Sequence, residues 1–415
     1  MLDIREIRRD PDAVRAALAR RGADVAEKVD QVLTLDATWR EETHAAEELR
    51  AKQKAASEEI GAAKSRGEDA SEAMATVKAL SDEVKERTAA AKAAEDELQT
   101  ALATLPNLPD PDSPDEDTVL KEIGEAGIGP AHPKDHLELL GERLDMERGA
   151  RLSGSRFVYL RGELVQLQFA LVTWALQKLV AKGFEPVIPP VLVREEALYG
   201  TGFLPDTEQQ IYQLPDDDLY LVGTSEVALA SMHAGEIVDT LPRRYVGYSS
   251  CFRREAGAAG KDTRGMFRVH QFDKLEMFCF VEPGEAKAEH ERLLAIEEEI
   301  LQDLGVPYRV VDIAIDELGA SAARKFDCEA WMPGQAKYRE VTSTSNTTDF
   351  QARRLDVRYR DENGKPQTAA TLNGTAVAGR HMIAIIENGQ QEDGSVKLPD
   401  VLTAYGAPAA LSPAD

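Results

Sequence analysis

Residues Cys251–Phe278 read CFRREAGAAGKDTRGMFRVHQFDKLEMF. Two strand-like runs flank a segment rich in Gly, Ala, Lys and Arg, the pattern of a β-hairpin with a long tip. Its charges fall where alternation would turn side chains inward. With a period of two, Arg253 and Glu255 share one face of the first strand. Phe272, Lys274, Glu276 and Phe278 share one face of the second. An arginine fork suits a phosphate because it donates two hydrogen bonds at once. A carboxylate beside it can accept from an exocyclic amine, and an aromatic ring offers a platform for a base. The tip AGAAGKDTRG is small, flexible and basic, so it could close over a phosphorylated ligand. On alternation alone, a solvated edge hairpin held by surface salt bridges fits as well.

The 415 residues suffice for two or three domains. Charged residues make up 30% and the net charge is −25. That balance argues against a bulk electrostatic grip on nucleic acid, so a polyanionic partner would need local basic patches. Cys251, Cys279 and Cys328 are far apart with no CxxC spacing. Neither a disulfide framework nor a zinc site is expected, and a reducing cytoplasm fits. The start MLDIREIRRD lacks the apolar region of a signal peptide. No run of about 18 apolar residues suggests a membrane span.

Residues 28–105 form a region apart, rich in Ala, Glu and Lys and without proline. Val32, Leu35, Trp39, Ala46, Leu49, Ala56 and Ile60 make one apolar seam, interrupted by Glu42 and Gln53. Met74, Val77, Leu80, Val84, Ala91, Ala94, Leu98, Ala101 and Leu105 make a second, interrupted by Arg87. Steps of three and four are the heptad signature of a coiled coil. Between them lies GAAKSRGEDAS, with Gly61 and Gly67 as breakers and Asp69 or Ser71 as a candidate N-cap. The pattern predicts an antiparallel hairpin of two helices of about 35 residues, each roughly 50 Å long. It is equally compatible with a dimerisation coiled coil.

LPNLPDPDSPDEDT, Leu105–Thr118, reads as a Pro- and Asp-rich linker. LVQLQFALVTWALQKLVAKG then predicts a long amphipathic helix ending at Gly183, and FEPVIPPVLV a proline-interrupted strand. Short apolar runs follow, broken by one helix near Ala286–Leu304. The last motif, TLNGTAVAGRHMIAIIENGQ, reads as strand, turn and helix. Runs of strands with few crossover helices predict an α+β core, an antiparallel sheet with flanking helices. No GxGxxG or GxxxxGK[ST] occurs, which argues against Rossmann and P-loop folds.

The hairpin run resembles motif 2 of class II aminoacyl-tRNA synthetases, in the form found in seryl-tRNA synthetases. KGFEPVIPPVL, with Pro190, resembles motif 1, the family's dimer interface. TLNGTAVAGRHMIAIIENGQ resembles motif 3, with Arg380 as its arginine. The N-terminal hairpin is similar to the family's tRNA-binding arm. The resemblance thus covers nearly the whole chain, as residues 1–110 with the arm and a catalytic domain over 111–415. Rival readings are weaker. A carrier-protein ligase would lack the arm and use zinc, and threonyl or prolyl relatives carry a further domain after motif 3. A coiled-coil scaffold with a degenerate core would not retain every motif residue.

The resemblance implies ATP-dependent ligation of L-serine to tRNA(Ser) through seryl-adenylate, with selenocysteine tRNA an open second acceptor. It implies that Arg253 contacts the α-phosphate, Glu255 the adenine amino group, and Phe272 the adenine ring, with Arg254 and Val269 also near the nucleotide. Glu276, Thr224, Ser225, Glu226, Thr375 and Arg253 match the serine site. Glu340, Val341, Thr342 and Ser343 match an ATP strand, on which Glu340 and Ser343 hold Mg²⁺, and Arg380 meets the γ-phosphate. Arg253, Glu276 and Arg380 are the catalytic candidates. Thr342 stands where many relatives have serine. Read without the resemblance, Thr224 ends a strand, Thr375 caps a helix, and Glu340 pairs with Arg339 or Arg353. His270 and His381 are expected in packing or hydrogen-bonding roles. The implied partners are tRNA, serine and a second copy in a homodimer, with no zinc, DNA or membrane. Arg50, Lys52, Lys54, Lys64 and Arg66 would meet the tRNA.

Overall fold

The structure, a computed structural model, describes residues 1–67, 69–205, 210–256, 262 and 264–414. The tip of the motif 2 hairpin lies largely outside the described residues. The chain forms two compact units, Leu2–Leu108, and Pro109–Asp415 with Met1.

The first unit is helical. Asp3 and Asp10 cap two short helices, α1 (Ile4–Arg9) and α2 (Pro11–Ala19), by accepting from the Arg5 and Ala13 amides. Two long helices follow, α3 (Ala23–Ser65) and α4 (Ser71–Ala103). At 1.5 Å per residue they span roughly 65 and 50 Å. Helix α3 outruns the expected length because it passes straight through Gly61, which does not break it. A glycine inside a helix costs only about 1 kcal/mol. Gly67, at φ +74°, lies just beyond the end of α3. Asp69 accepts from the Ser71 amide at 3.0 Å, and Ser71 is the first helical residue. Val32, Ala46, Ala94, Leu98 and Ala101 are buried along the seams. Met74 departs from the reading at 50% exposure, while Ala73 beside it is half-buried. The two charged interruptions are partners: Arg87 Nη1 donates to both carboxylate oxygens of Glu42, at 3.0 and 2.9 Å.

The second unit is built on an eight-stranded sheet. Its strands are β1 (Thr118–Ile123), β2 (Glu185–Val187), β3 (Arg243–Phe252), β4 (Gln271–Val281), β5 (Tyr308–Asp312), β6 (Arg324–Met332), β7 (Lys337–Asn346) and β8 (Ala370–Ala378). Their spatial order is β1-β5-β6-β7-β8-β4-β3-β2, antiparallel throughout except for β2 beside β3. The helices used below are α5 (His136–Leu140), α6 (Glu163–Ala181), α7 (Glu226–Ala230), α8 (Ala286–Asp303) and α9 (Gly379–Asn388). Strand β4 carries the alternation that the sequence suggested. Leu275, Met277, Cys279 and Val281 enter the main core with Leu293, Ile296 and Ile300 of α8. Lys274, Glu276, Phe278 and Phe280 lie on the other parity, with Phe278 and Phe280 in a second cluster.

Four sequence expectations need correction. The FEPVIPPVLV run is two short strands in different sheets, β2 and Leu192–Val193, because Pro189 and Pro190 cannot donate to a ladder. Motif 3 has no turn: β8 runs directly into α9. Helix α6 is long and apolar enough to cross a membrane by length and composition. Its Leu164, Leu167, Leu171, Trp174 and Leu179 are buried in the main core, which makes it a core helix. The Pro- and Asp-rich segment is also tied down: the Asp110 amide and Ser113 hydroxyl both donate to the Ala323 carbonyl.

Candidate active site

The functional face is the one bearing Lys274 and Glu276. Strand β3 ends at Phe252, so Arg253 and Glu255 do not share a strand face as alternation predicted. The last β3–β4 rung is Phe252 with Gln271, and Glu255 sits at φ +50°, where no strand continues. Both side chains nevertheless line one cavity of about 130 Å³. Arg253 donates from Nε to the Gly223 carbonyl at 3.2 Å, and its guanidinium lies 5.3 Å from the Phe272 ring centre. Glu255 accepts from Arg268 at 3.0 Å.

Two bulges aim the remaining residues. On β7, Thr342 faces Cys328 and Glu340 faces Glu329, leaving Val341 without a partner. On β8, Thr375 faces Glu276 and Val377 faces Leu275, leaving Ala376 without one. Each extra residue shifts the side-chain parity by one. Glu340 and Ser343, three apart, thereby share the functional face, and so do Thr375 and Ala378. Thr342 lies between Glu340 and Ser343, and its hydroxyl donates to the Thr375 carbonyl, tying β7 to β8.

Beneath Lys274 and Thr375, which line the cavity, lies a buried charged cluster whose Glu276, Thr224, Ser225 and Glu226 are not among its lining residues. Glu276, 2% exposed, accepts from Lys274 at 2.6 Å and from the Thr375 hydroxyl at 3.2 Å. Thr224 and Ser225 are buried on the approach to α7. Thr224 Oγ1 accepts from the Glu226 amide, and Ser225 Oγ donates to the Gly247 carbonyl. Gly247 pairs with Glu276 across the ladder. A Cβ on Gly247 would stand 2.8 Å from a Leu229 methyl and 3.2 Å from Ser225 Oγ, so a side chain there would push on both. Glu226 accepts from Gln351 at 2.8 Å. Burial first, then the charge of Glu276, push its carboxyl up to about 7.

The far wall carries arginines. Arg380, from α9, donates to the Glu340 carboxylate at 3.0 Å and to the Glu340 and Phe267 carbonyls. Burial pushes the Glu340 carboxyl up, but Arg380, Lys325 and Arg253 outweigh it and hold it well below the usual carboxylate range. Glu340 therefore pairs with neither Arg339 nor Arg353. Arg339 holds Asp262, as does Arg268, and Arg353 holds Asp349. Met266, Phe267, Arg268, Val269 and Phe272 complete the cavity with Val341 to Ser343. Arg254 is exposed and is not among the cavity's lining residues. His270 Nδ1 bonds the Arg253 carbonyl at 2.8 Å, and buried His381 takes the Ala378 amide on its Nδ1.

Among the described residues no three His, Cys, Asp or Glu side chains gather as a metal cluster. Glu340 and Ser343 offer two oxygen ligands on one face, which fits a hard cation that keeps waters and takes phosphate oxygens for the rest. Lys274 and Arg268 line the cavity and Arg339 lies over the Phe267 ring, roles that the sequence reading did not assign to them. Lys274 carried a signal, sharing its strand face with Glu276. In the arm, Arg50, Lys52, Lys54, Lys64 and Arg66 are all exposed, and Arg50 also donates to Thr88 across the hairpin at 3.1 Å.

Residues 1–109 match the seryl-tRNA synthetase N-terminal domain, and residues 210–389 match the class II core domain of the G, H, P, S and T tRNA synthetases. The serine--tRNA ligase of Nocardia farcinica is 54% identical over the full length of both chains. The chain belongs to the seryl-tRNA synthetase family. Among solved structures, the seryl-tRNA synthetase of Pyrococcus horikoshii, complexed with ATP, superposes with a TM-score of 0.94 at 41% identity, covering all of both chains. The cytoplasmic serine-tRNA ligase of Naegleria fowleri, in complex with AMP, gives 0.89 at 30%, covering all of this chain and 99% of that one. Family membership and the α+β fold agree with the reading from sequence, and ATP use follows from the class II core.

Proposed function

We propose that this seryl-tRNA synthetase activates L-serine with ATP and passes the seryl group to tRNA(Ser). The observation that supports the reading is the Glu276–Thr375 contact, beside a cavity that Thr375, Arg253 and Arg380 line. In the first step the serine carboxylate attacks the α-phosphorus and pyrophosphate leaves. In the second, the terminal ribose hydroxyl of the tRNA takes the seryl group. Two anions must meet, so charge neutralisation and alignment are the main tasks, and no protein nucleophile is required. Arg253 takes the α-phosphate and Arg380 the γ-phosphate. Phe272 stacks on adenine, Glu255 accepts its amino group, and the Val269 backbone lines the base. Glu276 and Thr375 bind the serine hydroxyl, while Thr224, Ser225 and Glu226 surround the amino-acid end. Glu340 and Ser343 would hold Mg²⁺, whose chemistry there is to neutralise the phosphates.

Two further readings belong to the same proposal. Residues 1–110 hold the tRNA through exposed arm cations, by shape and backbone contacts, and residues 111–415 carry the chemistry. The protein works in the cytoplasm as a homodimer. Apolar side chains around motif 1 support the dimer: Phe169 is 60% and Ile188 84% exposed, with Val180 and Leu192 also uncovered. Serine-dependent ATP–pyrophosphate exchange, run against an amino-acid panel, tests the core of the proposal. Exchange with serine alone supports it, and exchange that is absent or equal with alanine overturns it. A monomeric mass at micromolar concentration with full activity would overturn the dimer.

A further inference from the structure

The segment returning from the hairpin tip to β4 passes through Gly265 and Met266, and both touch His136. The ring lies so close that a Cβ on Gly265 would stand 2.0 Å from His136 Nε2. The same Nε2 accepts from the Met266 amide at 3.2 Å. On the other side, Nδ1 meets the Glu387 carboxylate of α9 at 2.8 Å, and the His136 amide donates to the same oxygen at 3.1 Å. The second Glu387 oxygen accepts from the Gly334 amide at 2.9 Å. His136 and Glu387 are both buried. An acceptor at Nε2 and a carboxylate at Nδ1 together demand one neutral tautomer, with its proton on Nδ1.

The pinned peptide leads into the phosphate end of the cavity. The Phe267 ring stands edge-on to His136, with ring centres 5.4 Å apart. The Arg339 guanidinium lies 4.7 Å from the Phe267 ring centre, and the Phe267 carbonyl accepts from Arg380 Nε. We propose that His136 is a positioning residue: it ties the Gly265–Phe267 peptide to α9 and, through Phe267, aims Arg339 and Arg380. The inference rests on the ATP reading of this cavity and adds a residue that touches no substrate.

Two substitutions separate the halves of the ring. His136→Asn keeps a donor for Glu387 but loses the acceptor for Met266, whereas His136→Gln reaches the Nε2 position with an amide oxygen. Small misplacements remote from the chemistry are costly, so Asn should raise KM for ATP in pyrophosphate exchange by about tenfold or more, with KM for serine changed by less than about twofold. Gln should recover most of that loss. The ¹⁵N spectrum of the unaltered protein should report the Nδ1–H tautomer, a readout that needs no variant to fold. An unchanged KM for ATP in Asn, equal damage to ATP and serine in both variants, or an Nε2–H ring overturns the proposal. Absence of serine-dependent exchange in the unaltered protein would instead overturn the parent reading, leaving the tautomer to be decided by its own spectrum.

Discussion

Arg50, Lys52, Lys54, Lys64 and Arg66 on the arm are exposed, whereas Lys274 and Glu276 of β4 and Glu226 of α7 are buried. Exposed cations are screened by salt and act additively at long range. Buried charges are screened little, depend on individual hydrogen bonds, and respond to proton binding. One chain therefore carries two kinds of electrostatics. The arm should answer to ionic strength, and the site to single atoms and to pH.

Removing one atom group from the site should have the largest effect. Glu276→Ala is expected to lower serine activation by about 10⁴, since a site built to bind a hydroxyl discriminates on that scale. KM for ATP should stay within a few-fold of its starting value, measured by pyrophosphate exchange. An equal loss for both substrates would break the contrast between a serine floor and a nucleotide wall. Next comes the arm as a whole. Replacing Ala37–Leu98 with a short Gly/Ser linker should collapse kcat/KM for tRNA charging while exchange stays within a few-fold. Normal charging by that protein would remove the arm from RNA binding.

Neutralising Lys52, Lys54, Lys64 and Arg66 together should flatten the salt dependence of tRNA affinity, by up to about one unit of log–log slope for each phosphate left without its cation. Titrations between low and physiological salt would read it, and an unchanged slope would place the phosphate-binding cations elsewhere. The smallest effect concerns Glu226. Its folded value, about 7, lies above its ordinary 4.5, so the folded chain holds the proton more tightly than the unfolded one. Its contribution to stability is thus lost as pH rises from about 4.5 to 7, and it is flat above that. Glu226→Gln should therefore match the starting protein in thermal midpoint near pH 4 and exceed it at pH 8. A gain of the same size at both pH values would mean that the group does not titrate in that window.

The arm was legible because a single period describes it: seven-residue spacing alone located both seams and the two charges that break them. Its errors were local, at Gly61 and Met74, where helix propensity outweighs one poor residue and where a tip position has nothing to pack against. The sheet face of β4 was legible for the same reason, a regular period of two. The bulges at Val341 and Ala376 were not, because an unpaired residue leaves no mark on the periodicity of its own strand. Serine, threonine and glutamate at irregular spacing follow no period, so only the family resemblance grouped them before the ladder shifted them onto one face. The Glu387–His136 pair was equally hidden, since its members lie 251 positions apart.

The Glu42–Arg87 contact has a consequence for how the arm assembles. Two smooth apolar seams could zip together in several alignments, each offset by one heptad and each burying similar surface. A carboxylate on one helix and a guanidinium on the other make those alignments unequal. In the observed one, both charges find each other across the hairpin. In a slipped one, that bond is lost and the half-exposed Arg87 turns to water instead. The pair thus works as a key cut at one position along a long zipper, and the phase it selects sets where every basic side chain near the tip falls along the arm.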